Sequence, residues 1–385
     1  MSTTCVWMRR FWCEAIDAFR DYELRIQTMW LTILYLVGIF TLLVAAHELG
    51  HMWVAKRFKM KVEEFAIGIG PILLRLWRGR DGTLYTIRAF PVGGFVKIPG
   101  MMPDEEHLEG SFQSKPLHAR FLTVLAGPVA SILFGFLLFV VIGMTAGLPS
   151  LDDPTPQVRM VMPDSPAQEA GLRTGDILRA INGEPVKTTE QAGEIIRANA
   201  NQPLQLTMER DGEVFTITIT PREVDAEIDG QPRKIGQIGV MWHVMRKKEP
   251  FHQVLAHAGL MTVGMSFAIV DGLRRMVFGQ ANIHEVGSII SIASATNATA
   301  KLGLVEVADF AAKFSVMLGI INLLPIPVLD GGYLLIFTIE ALRRRKLSPE
   351  AMARVQMAGL VIVLMIFVAV FSLDIYKLIT GKLIR

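Results

Sequence analysis

A stretch of 27 residues, Phe121 to Gly147, carries no Asp, Glu, Lys, Arg or His, and it limits the possible folds of the chain more than any other feature. A helix of about 20 residues is long enough to cross the hydrocarbon core of a bilayer. A helix buried in a large soluble protein rarely remains uncharged over such a length. The stretch therefore predicts a transmembrane helix, and the hydrophobic fraction of 51% in the 385-residue chain agrees with a membrane protein.

Three further stretches are long and apolar enough to span a membrane. The four predicted spans lie at about residues 30–54, 121–147, 314–342 and 355–373. We therefore expect a polytopic α-helical membrane protein whose membrane core consists of residues 29–150 and 309–385. Residues 1–28, which contain four acidic side chains, are predicted to be an N-terminal extension. This extension is either an interfacial helix or the result of an upstream start, with Met29 as the true first residue.

The distribution of basic residues predicts the orientation of these spans. Eleven Lys and Arg lie between the first two spans and five between the last two, against four in the N-terminal 29 residues and three in the C-terminal tail. Basic segments tend to stay on the cytoplasmic side. Both termini and the long segment between the second and third spans should therefore face outward.

The remaining charge and the cysteines exclude other classes of function. The net charge of +3 is explained by the clusters that set the topology, and no basic stripe with interleaved aromatic residues is present. Nucleic-acid binding therefore has no support. Cys5 and Cys13 are the only cysteines and both precede the first span, so the folded parts depend neither on a disulfide nor on a cysteine-held metal.

The outward segment has the composition of a small soluble domain. Residues 155–222 contain alternating strands, a tight turn at Asp211-Gly212 and a helix that opens at Thr188. Residues 223–308 are predicted to be a linker with interfacial helices. The apolar part of this linker, Phe251 to Phe278, is interrupted by charged residues and is expected to lie along the outer membrane surface rather than to form a fifth span.

The first span contains the segment His47-Glu48-Leu49-Gly50-His51. Residues four apart lie on the same face of a helix, so both imidazoles can bind one ion while Glu48 lies beside them as a base. The alternative is that these polar residues only brace other helices. Ionisable groups inside a bilayer are costly, however, and a divalent cation would compensate three of them within five residues. The spacing therefore predicts a metal site.

Catalytic zinc usually takes three protein ligands, so a third is needed. The third span contains the stretch Asn322 to Gly332, in which two prolines and two glycines must interrupt the helix and Asp330 is the acidic residue. A broken helix is tolerated at membrane depth where it lines a cavity or is buried in protein. A plain kink would leave Asp330 unpaired in lipid. Under the predicted topology, His47, His51 and Asp330 all lie in the inward-facing half of their spans and can meet.

The segment between the first two spans predicts a membrane-associated β-hairpin at about residues 63–97. Its strands are Glu64 to Trp77 and Thr83 to Phe90, joined by a turn at Arg80-Asp81-Gly82. A free strand edge at this place would pair with an unwound substrate segment. The alternative is an ordinary amphipathic hairpin on the membrane surface.

Two resemblances add to this interpretation. Residues 155–222 resemble a circularly permuted bacterial PDZ domain, through Asp164 to Leu172, Gly175 to Leu178 and Ile181-Asn182-Gly183. The rest of the chain resembles the site-2 protease family of intramembrane metalloproteases, in its bacterial RseP-like branch. The motifs that carry this second resemblance are His47 to His51, Phe65 to Pro71, Phe90 to Lys97, Ala126 to Ala130 and Asn322 to Gly331.

The family resemblance implies a zinc-dependent endopeptidase with His47, His51 and Asp330 as zinc ligands and Glu48 as general base. The substrate-handling residues that it implies are Asn322, Pro325, Pro327, Gly93 and Gly94. Three departures from the family pattern stand out: Ser131 replaces the usual Asn after the Gly-Pro pair, Gly287-Ser288 replaces an expected Gly-Pro, and the chain has one PDZ domain where some relatives have two.

The resemblance also implies a location and partners. The chain would be a multi-pass protein of the bacterial inner membrane, with a periplasmic PDZ domain and an active site in the cytoplasmic half of the bilayer. Its substrates would be single-span membrane proteins, such as anti-sigma factors or leftover signal peptides. The PDZ groove would bind a peptide or chain terminus, or the domain would serve as a size filter or a plug without a ligand.

Two other functions use the same residues. A zinc channel or carrier would need further polar residues along a continuous path, and the second and fourth spans offer almost none. A catalytically silent scaffold would be expected to lack Glu48 or a metal ligand, and all four residues are present.

Overall fold

A computed structural model describes most of the chain. The described residues are 30, 33–101, 110–150, 155–162, 164–228, 231–279, 296, 299 and 302–379. The predictions for residues 1–28 lie outside this set. By its internal contacts the chain divides into a first unit, residues 1–142 and 252–379, and a second unit that includes residues 143–251.

The helices and strands follow one another in a simple order. The helices are α1 (Ile33–Arg57), α2 (Leu117–Ala146), α3 (Pro166–Glu169), α4 (Thr189–Ala198), α5 (Phe251–Val277), α6 (Leu304–Asn322), α7 (Asp330–Arg343) and α8 (Pro349–Ile379). The strands are β1 (Glu64–Arg78), β2 (Leu84–Lys97), β3 (Leu148–Pro149), β4 (Val158–Val161), β5 (Ile177–Ile181), β6 (Glu184–Pro185), β7 (Leu204–Arg210), β8 (Glu213–Ile219), β9 (Arg222–Ile228), β10 (Gln231–Gln237), β11 (Val240–Trp242) and β12 (Arg246–Lys247).

Among the described residues, four helices are long and apolar enough to cross a membrane: α1, α2, α5 and α8. The predicted fold class, a polytopic helical membrane protein with an inserted α+β domain, is confirmed. Helices α1, α2 and α8 correspond to the first, second and fourth predicted spans.

The stretch that was expected to form helices along the outer membrane surface is one continuous helix, α5. Asp271 pairs with Arg274 at 2.8 Å and with Arg275 at 2.7 Å, so the charges are gathered in the last two turns. The preceding residues carry only two histidines as polar titratable groups. Its length and composition therefore allow α5 to span, and its predicted position along the membrane surface remains a prediction.

The third predicted span is interrupted, as its prolines and glycines predicted. Helix α6 ends at Asn322 and α7 begins at Asp330. Pro325 and Pro327 have no N–H to donate to a helix, which accounts for the break between them. Neither half is among the four helices that qualify as spans by themselves.

The segment of the predicted hairpin, residues 63–97, contains more strand pairing than the two predicted strands. Residues 72–78 of β1 pair in antiparallel register with residues 84–88 of β2, which is the predicted hairpin. Residues 64–67 of β1 then pair with residues 84–87 in parallel and with residues 94–97 in antiparallel register. The long strands therefore bend back to give four sheet segments. Residues 94–97 form one outer segment.

The second unit is longer than the predicted domain of residues 155–222. Its main sheet has the strand order β6-β5-β7-β8, with α4 packed on it, and the predicted β7–β8 hairpin is present. Strand β11, which was assigned to the linker, pairs with β4, and Ile238 belongs to the same buried core. Residues 223–228 and 231–242, which were predicted to belong to a linker, instead form strands or core positions of this unit.

In the first unit, glycines let the helices approach closely. A Cβ atom at Gly50 of α1 would lie 2.3 Å from the Ala126 carbonyl oxygen of α2. A Cβ atom at Gly319 of α6 would lie 2.7 Å from the Pro128 carbonyl oxygen of α2. Small residues at helix interfaces in membranes allow such backbone contacts. Helix α2 is therefore in close contact with both α1 and α6.

Candidate metal centre and active site

Three side chains from two helices converge in the first unit. His47 Nε2 lies 3.0 Å and His51 Nε2 lies 3.5 Å from Asp330 Oδ2, and the two imidazole nitrogens are 3.2 Å apart. Both histidines are buried. Among the described residues, these three form the one group of His, Cys, Asp or Glu side chains with metal-ligand spacing.

The cluster fits a tetrahedral zinc ion. Ligand atoms at about 2.1 Å from tetrahedral zinc lie about 3.4 Å from one another, and the three observed separations bracket this value. Asp330 Oδ2 is buried and accepts no hydrogen bond of acceptable geometry from the described residues. Two imidazoles and one carboxylate are also a common donor set for catalytic zinc.

Helix α2 supplies the support for both rings. His47 Nδ1 lies 2.9 Å from Ser131 Oγ, and His51 Nδ1 lies 2.8 Å from the Thr123 carbonyl oxygen. With Nδ1 engaged in this way, Nε2 of each ring is left to face the cluster. Between these two contacts lies Gly127, where a Cβ atom would be 2.2 Å from His51 Nε2. The space around the imidazole nitrogens therefore depends on a missing side chain.

This role of α2 was not predicted, although the spacing of its residues indicates it. Thr123, Gly127 and Ser131 are spaced by four, so they lie on one face of the helix. The same spacing separates His47 from His51. The two sets pair along the contact between α1 and α2, His51 with Thr123 and His47 with Ser131.

The interrupted segment between α6 and α7 sets the position of Asp330. This residue is the first residue of α7, and the glycine after it is closely covered by backbone. A Cβ atom at Gly331 would lie 2.1 Å from the Leu324 carbonyl oxygen. Val328 adopts φ of +85°, which is unfavourable for a β-branched residue and occurs mainly where the surrounding structure enforces it. The segment is therefore a tightly folded loop.

Glu48 lies on α1 between the two histidines, and its side chain is half-buried. Its Oε2 atom accepts a hydrogen bond of 2.9 Å from the backbone N–H of Val96, in the outer segment of the sheet. The prediction placed the base near the ligands, and the structure adds its contact with the sheet.

The other predicted site residues lie around this centre. Gly94 is packed between β1 and α1, since a Cβ atom there would be 2.8 Å from the Ala66 carbonyl oxygen. Pro327 contacts α8 at Gly359. The remaining three are the half-buried Gly93 with φ of +89°, the half-buried Asn322 at the end of α6, and the exposed Pro325. Among the described residues, Asn322 makes no hydrogen bond with the three clustered side chains.

Most of this chain is similar to known proteins. Residues 35–366 match the model of peptidase family M50. The chain is 30% identical to the zinc metalloprotease RasP of Geobacillus kaustophilus, over 90% of this chain and 98% of the relative. It is 28% identical to the regulator of sigma-W protease RasP of Bacillus subtilis, over 90% of this chain and 99% of the relative.

A crystal structure of the PDZ domain of the SdrC-like protein from Listeria innocua matches 25% of this chain and 99% of its own length, at 20% identity and a TM-score of 0.20. The family match and the two relatives each cover most of the chain, including the histidine segment and the interrupted helix. The chain therefore belongs to peptidase family M50 and is a zinc metalloprotease of the site-2 protease type.

Proposed function

We propose that this protein is an intramembrane endopeptidase that cleaves single-span membrane proteins within the bilayer. The observation that carries the proposal is the cluster of His47, His51 and Asp330, whose histidines lie on a helix apolar enough to cross a membrane. A protease centre on such a helix has its substrates in the membrane. This goes beyond the family membership, which by itself establishes a zinc metalloprotease.

In this proposal His47, His51 and Asp330 hold the zinc ion. When bound, the ion supplies Lewis acidity that activates water and polarises the scissile carbonyl. Glu48 takes the proton of the attacking water and passes it to the leaving amine. Its position beside both histidines supports this role, because a general base must reach the water that attacks the peptide carbonyl.

The surrounding residues would position the substrate. A transmembrane helix hides its carbonyl groups in internal hydrogen bonds and must be unwound before attack. The segment that contains Gly93 and Gly94 offers a strand edge on which an unwound segment pairs. Asn322 would donate a hydrogen bond to the oxyanion or to the substrate backbone. Pro325 and Pro327 would keep the loop before Asp330 open to the substrate.

We further propose the location and the substrate class. The basic residues between α1 and α2 and after α7 favour a cytoplasmic position for these segments. The second unit would then be periplasmic, and the zinc site would lie in the cytoplasmic half of the bacterial inner membrane. The name of the Bacillus subtilis relative, regulator of sigma-W protease, supports anti-sigma factors as substrates. Leftover signal peptides are also single membrane-spanning segments and would be substrates of the same class. The predicted PDZ domain would filter substrates by size or bind a chain terminus.

The test is cleavage of a model single-span substrate in liposomes by the wild type and by Glu48→Gln. We expect the variant to keep its zinc and to lose cleavage by at least about 100-fold, the lower range of general acid–base contributions. Mass spectrometry of the products should place the cut inside the span. Glu350→Gln, a change of the same kind at an exposed residue of α8, serves as the control and should cleave as the wild type does.

Three results would contradict the proposal. If zinc-loaded Glu48→Gln cleaves at the wild-type rate, Glu48 is not the general base. If the wild type contains no divalent metal, the assignment of the three metal ligands is wrong. If the cut lies only in the soluble part of the substrate, the reaction is not intramembrane.

A further inference from the structure

We propose that the backbone N–H of Val96 holds Glu48 in the substrate-free enzyme, and that a substrate strand pairing with this edge takes over the N–H and releases the carboxylate. Base activation would then follow substrate pairing. This inference rests on the proposed function, in which Glu48 is the general base.

The first observation is the hydrogen bond itself. The Val96 N–H donates to Glu48 Oε2 at 2.9 Å, between residues 48 positions apart in the sequence. A hydrogen bond from a backbone N–H to a carboxylate is among the stronger kinds in proteins. Glu48 is half-buried, so water competes weakly for this carboxylate. The bond therefore restrains the side chain in the absence of substrate.

The second observation is the direction of the Val96 N–H. The outer segment, residues 94–97, pairs with residues 64–67 on one side, where the Lys97 carbonyl oxygen accepts from the Glu63 N–H at 2.9 Å. Neighbouring residues of a strand direct their backbone groups to opposite sides. Val96 and Gly94 therefore direct theirs to the other side, where no described strand pairs with them. Glu48 occupies the position that an acceptor of an added strand would take.

The third observation is that α1 follows the same segment of β2. Thr41 donates to the Pro91 carbonyl oxygen at 3.3 Å, and a Cβ atom at Gly94 would lie 3.2 Å from Val44 Cγ1. Glu48 then meets Val96. Residues 41, 44 and 48 share one face of α1, so the strand is held along the face that carries the base. The contact between Glu48 and Val96 is part of this alignment.

These contacts make the base and the substrate competitors for one donor. A carbonyl group of a pairing strand needs the Val96 N–H that Glu48 already accepts. When the substrate carbonyl replaces the carboxylate, the Val96 N–H keeps an acceptor and Glu48 becomes free to accept a hydrogen bond from water. A substrate that is still helical has no free carbonyl to offer. The substrate class is therefore a membrane segment that has already unwound into a strand.

Val96→Pro tests the proposal, because it removes the N–H and changes no atom of Glu48. Proline is tolerated on an edge strand where the N–H does not serve the ladder. Two substrates are compared, a single-span protein and a soluble tripeptide derivative too short to pair along the edge. We expect hydrolysis of the short substrate to rise about tenfold, the factor that corresponds to one hydrogen bond to a charged group. Cleavage of the single-span protein should fall by about the same factor, because the edge has lost a donor.

Val96→Ala, which keeps the N–H, is the matched control and should leave the ratio of the two rates unchanged. A second measurement does not require activity. In zinc-free protein labelled with ¹⁵N-valine, the Val96 amide, assigned by its loss in Val96→Ala, should exchange with solvent at least about tenfold faster in Glu48→Ala than in the wild type. A non-cleavable strand peptide should restore its protection in that variant.

Equal losses on both substrates in Val96→Pro would overturn the proposal, since they would mean that the N–H only positions the base. Unchanged exchange of the Val96 amide in Glu48→Ala would also overturn it. If Val96→Pro fails to fold, as reported by its zinc content, the exchange measurement decides alone. Failure of the proposed function has a different signature, because the wild type would then not cleave the single-span protein at all, whatever the amide exchange shows.

Discussion

At the scale of the residue, the zinc site depends on the hydrogen-bond partners of its histidine ligands. Ser131 is fully buried and its hydroxyl is the partner of His47 Nδ1. The family pattern usually has Asn at this position, so the chain replaces an amide by a hydroxyl that can serve the same ring nitrogen. A hydrogen bond at the far nitrogen fixes the tautomer and orientation of a metal-bound histidine.

We therefore expect Ser131→Ala to weaken zinc binding by about 10- to 100-fold, the usual effect of losing such a partner. Competition with a chelator of known affinity measures the change. Ser315→Ala is a close control, because Ser315 is also fully buried and donates to the Ser131 carbonyl oxygen at 2.7 Å without touching His47. Equal zinc affinities in wild type and Ser131→Ala would show that the hydroxyl does not orient the ring.

Gly127, in contrast, is required because it has no side chain. A Cβ atom there would lie 2.2 Å from His51 Nε2 and 2.8 Å from His47 Nε2. Since α2 cannot move away without losing its contacts to α1, Gly127→Ala should displace both imidazoles. We expect the purified variant to contain less than about one tenth of the wild-type zinc, which matches the lower end of losses on disturbing ligand support.

The control for this prediction is Gly264→Ala in α5, where a Cβ atom would meet no atom within 4 Å. The same substitution there should retain full zinc content and cost no stability, because alanine is the better helix former. Elemental analysis of both variants, with thermal unfolding to confirm folding, measures the difference. Normal zinc content in Gly127→Ala would contradict the close packing of α2 against the ligands.

At the scale of the element, α7 carries Asp330 at its first residue and an ion pair near its last turn. Arg120 of α2 lies 3.3 Å from Glu340 of α7, and both side chains are almost fully buried. Glu340 also accepts from the Leu347 N–H at 2.9 Å, and the Arg120 guanidinium lies 5.0 Å from the Phe337 ring centroid. The pair therefore joins the far end of α7 to the helix that supports the histidines.

Removing one partner of a buried pair leaves an uncompensated charge. We expect Glu340→Ala to lower the free energy of unfolding by about 3 to 5 kcal/mol, and the double variant Arg120→Met, Glu340→Met to lose clearly less than the single one. Thermal unfolding in detergent measures both. Asp309→Asn, which breaks the partly exposed pair with Lys313, provides the contrast and should change stability by less than about 1 kcal/mol. A double variant less stable than Glu340→Ala would contradict this account.

At the scale of the whole molecule, much of the fold and of the candidate site was predictable from local sequence patterns. The spacing of His47, Glu48 and His51 predicted their common helix face, and the prolines before Asp330 predicted the break that positions it. Contacts between distant backbone groups were not predictable. The Val96 N–H and the Thr123 carbonyl group are backbone groups. Because such groups do not depend on the side chain, no residue type in the sequence indicates these contacts.

The extent of the second unit was not predicted, although residues 223–228 alternate acidic residues with Val224, Ala226 and Ile228 in the manner of the earlier strands. This unit has its own buried core, and the acidic residue Asp176 is buried in the same unit. Asp176 is fully buried, accepts two hydrogen bonds from the Arg210 guanidinium at 2.7 and 2.8 Å, and accepts a third from the Arg173 N–H at 2.8 Å. Burial alone would raise the pKa of the Asp176 carboxyl, but these hydrogen bonds outweigh it and hold the pKa below the ordinary 3.8.

A lowered pKa in the folded state fixes the sign of the pH dependence. The unfolded chain binds the proton more readily than the folded unit, so the stabilisation by Asp176 is fully present above its ordinary pKa of 3.8 and is lost as the pH falls below that value toward the lowered folded pKa. We expect the protection of β5 and β7 against hydrogen exchange in the full chain, corrected for the intrinsic rate, to fall from pH 6 to pH 3. Asp176→Ala should lack this contribution at pH 6, with a loss of about 2 kcal/mol for the missing hydrogen bonds to charge, and should approach the wild type at pH 3. Because the zinc ligands belong to the other unit, zinc content should stay unchanged in this variant. A variant that tracks the wild type at a constant offset through the whole range would show that Asp176 does not titrate with folding.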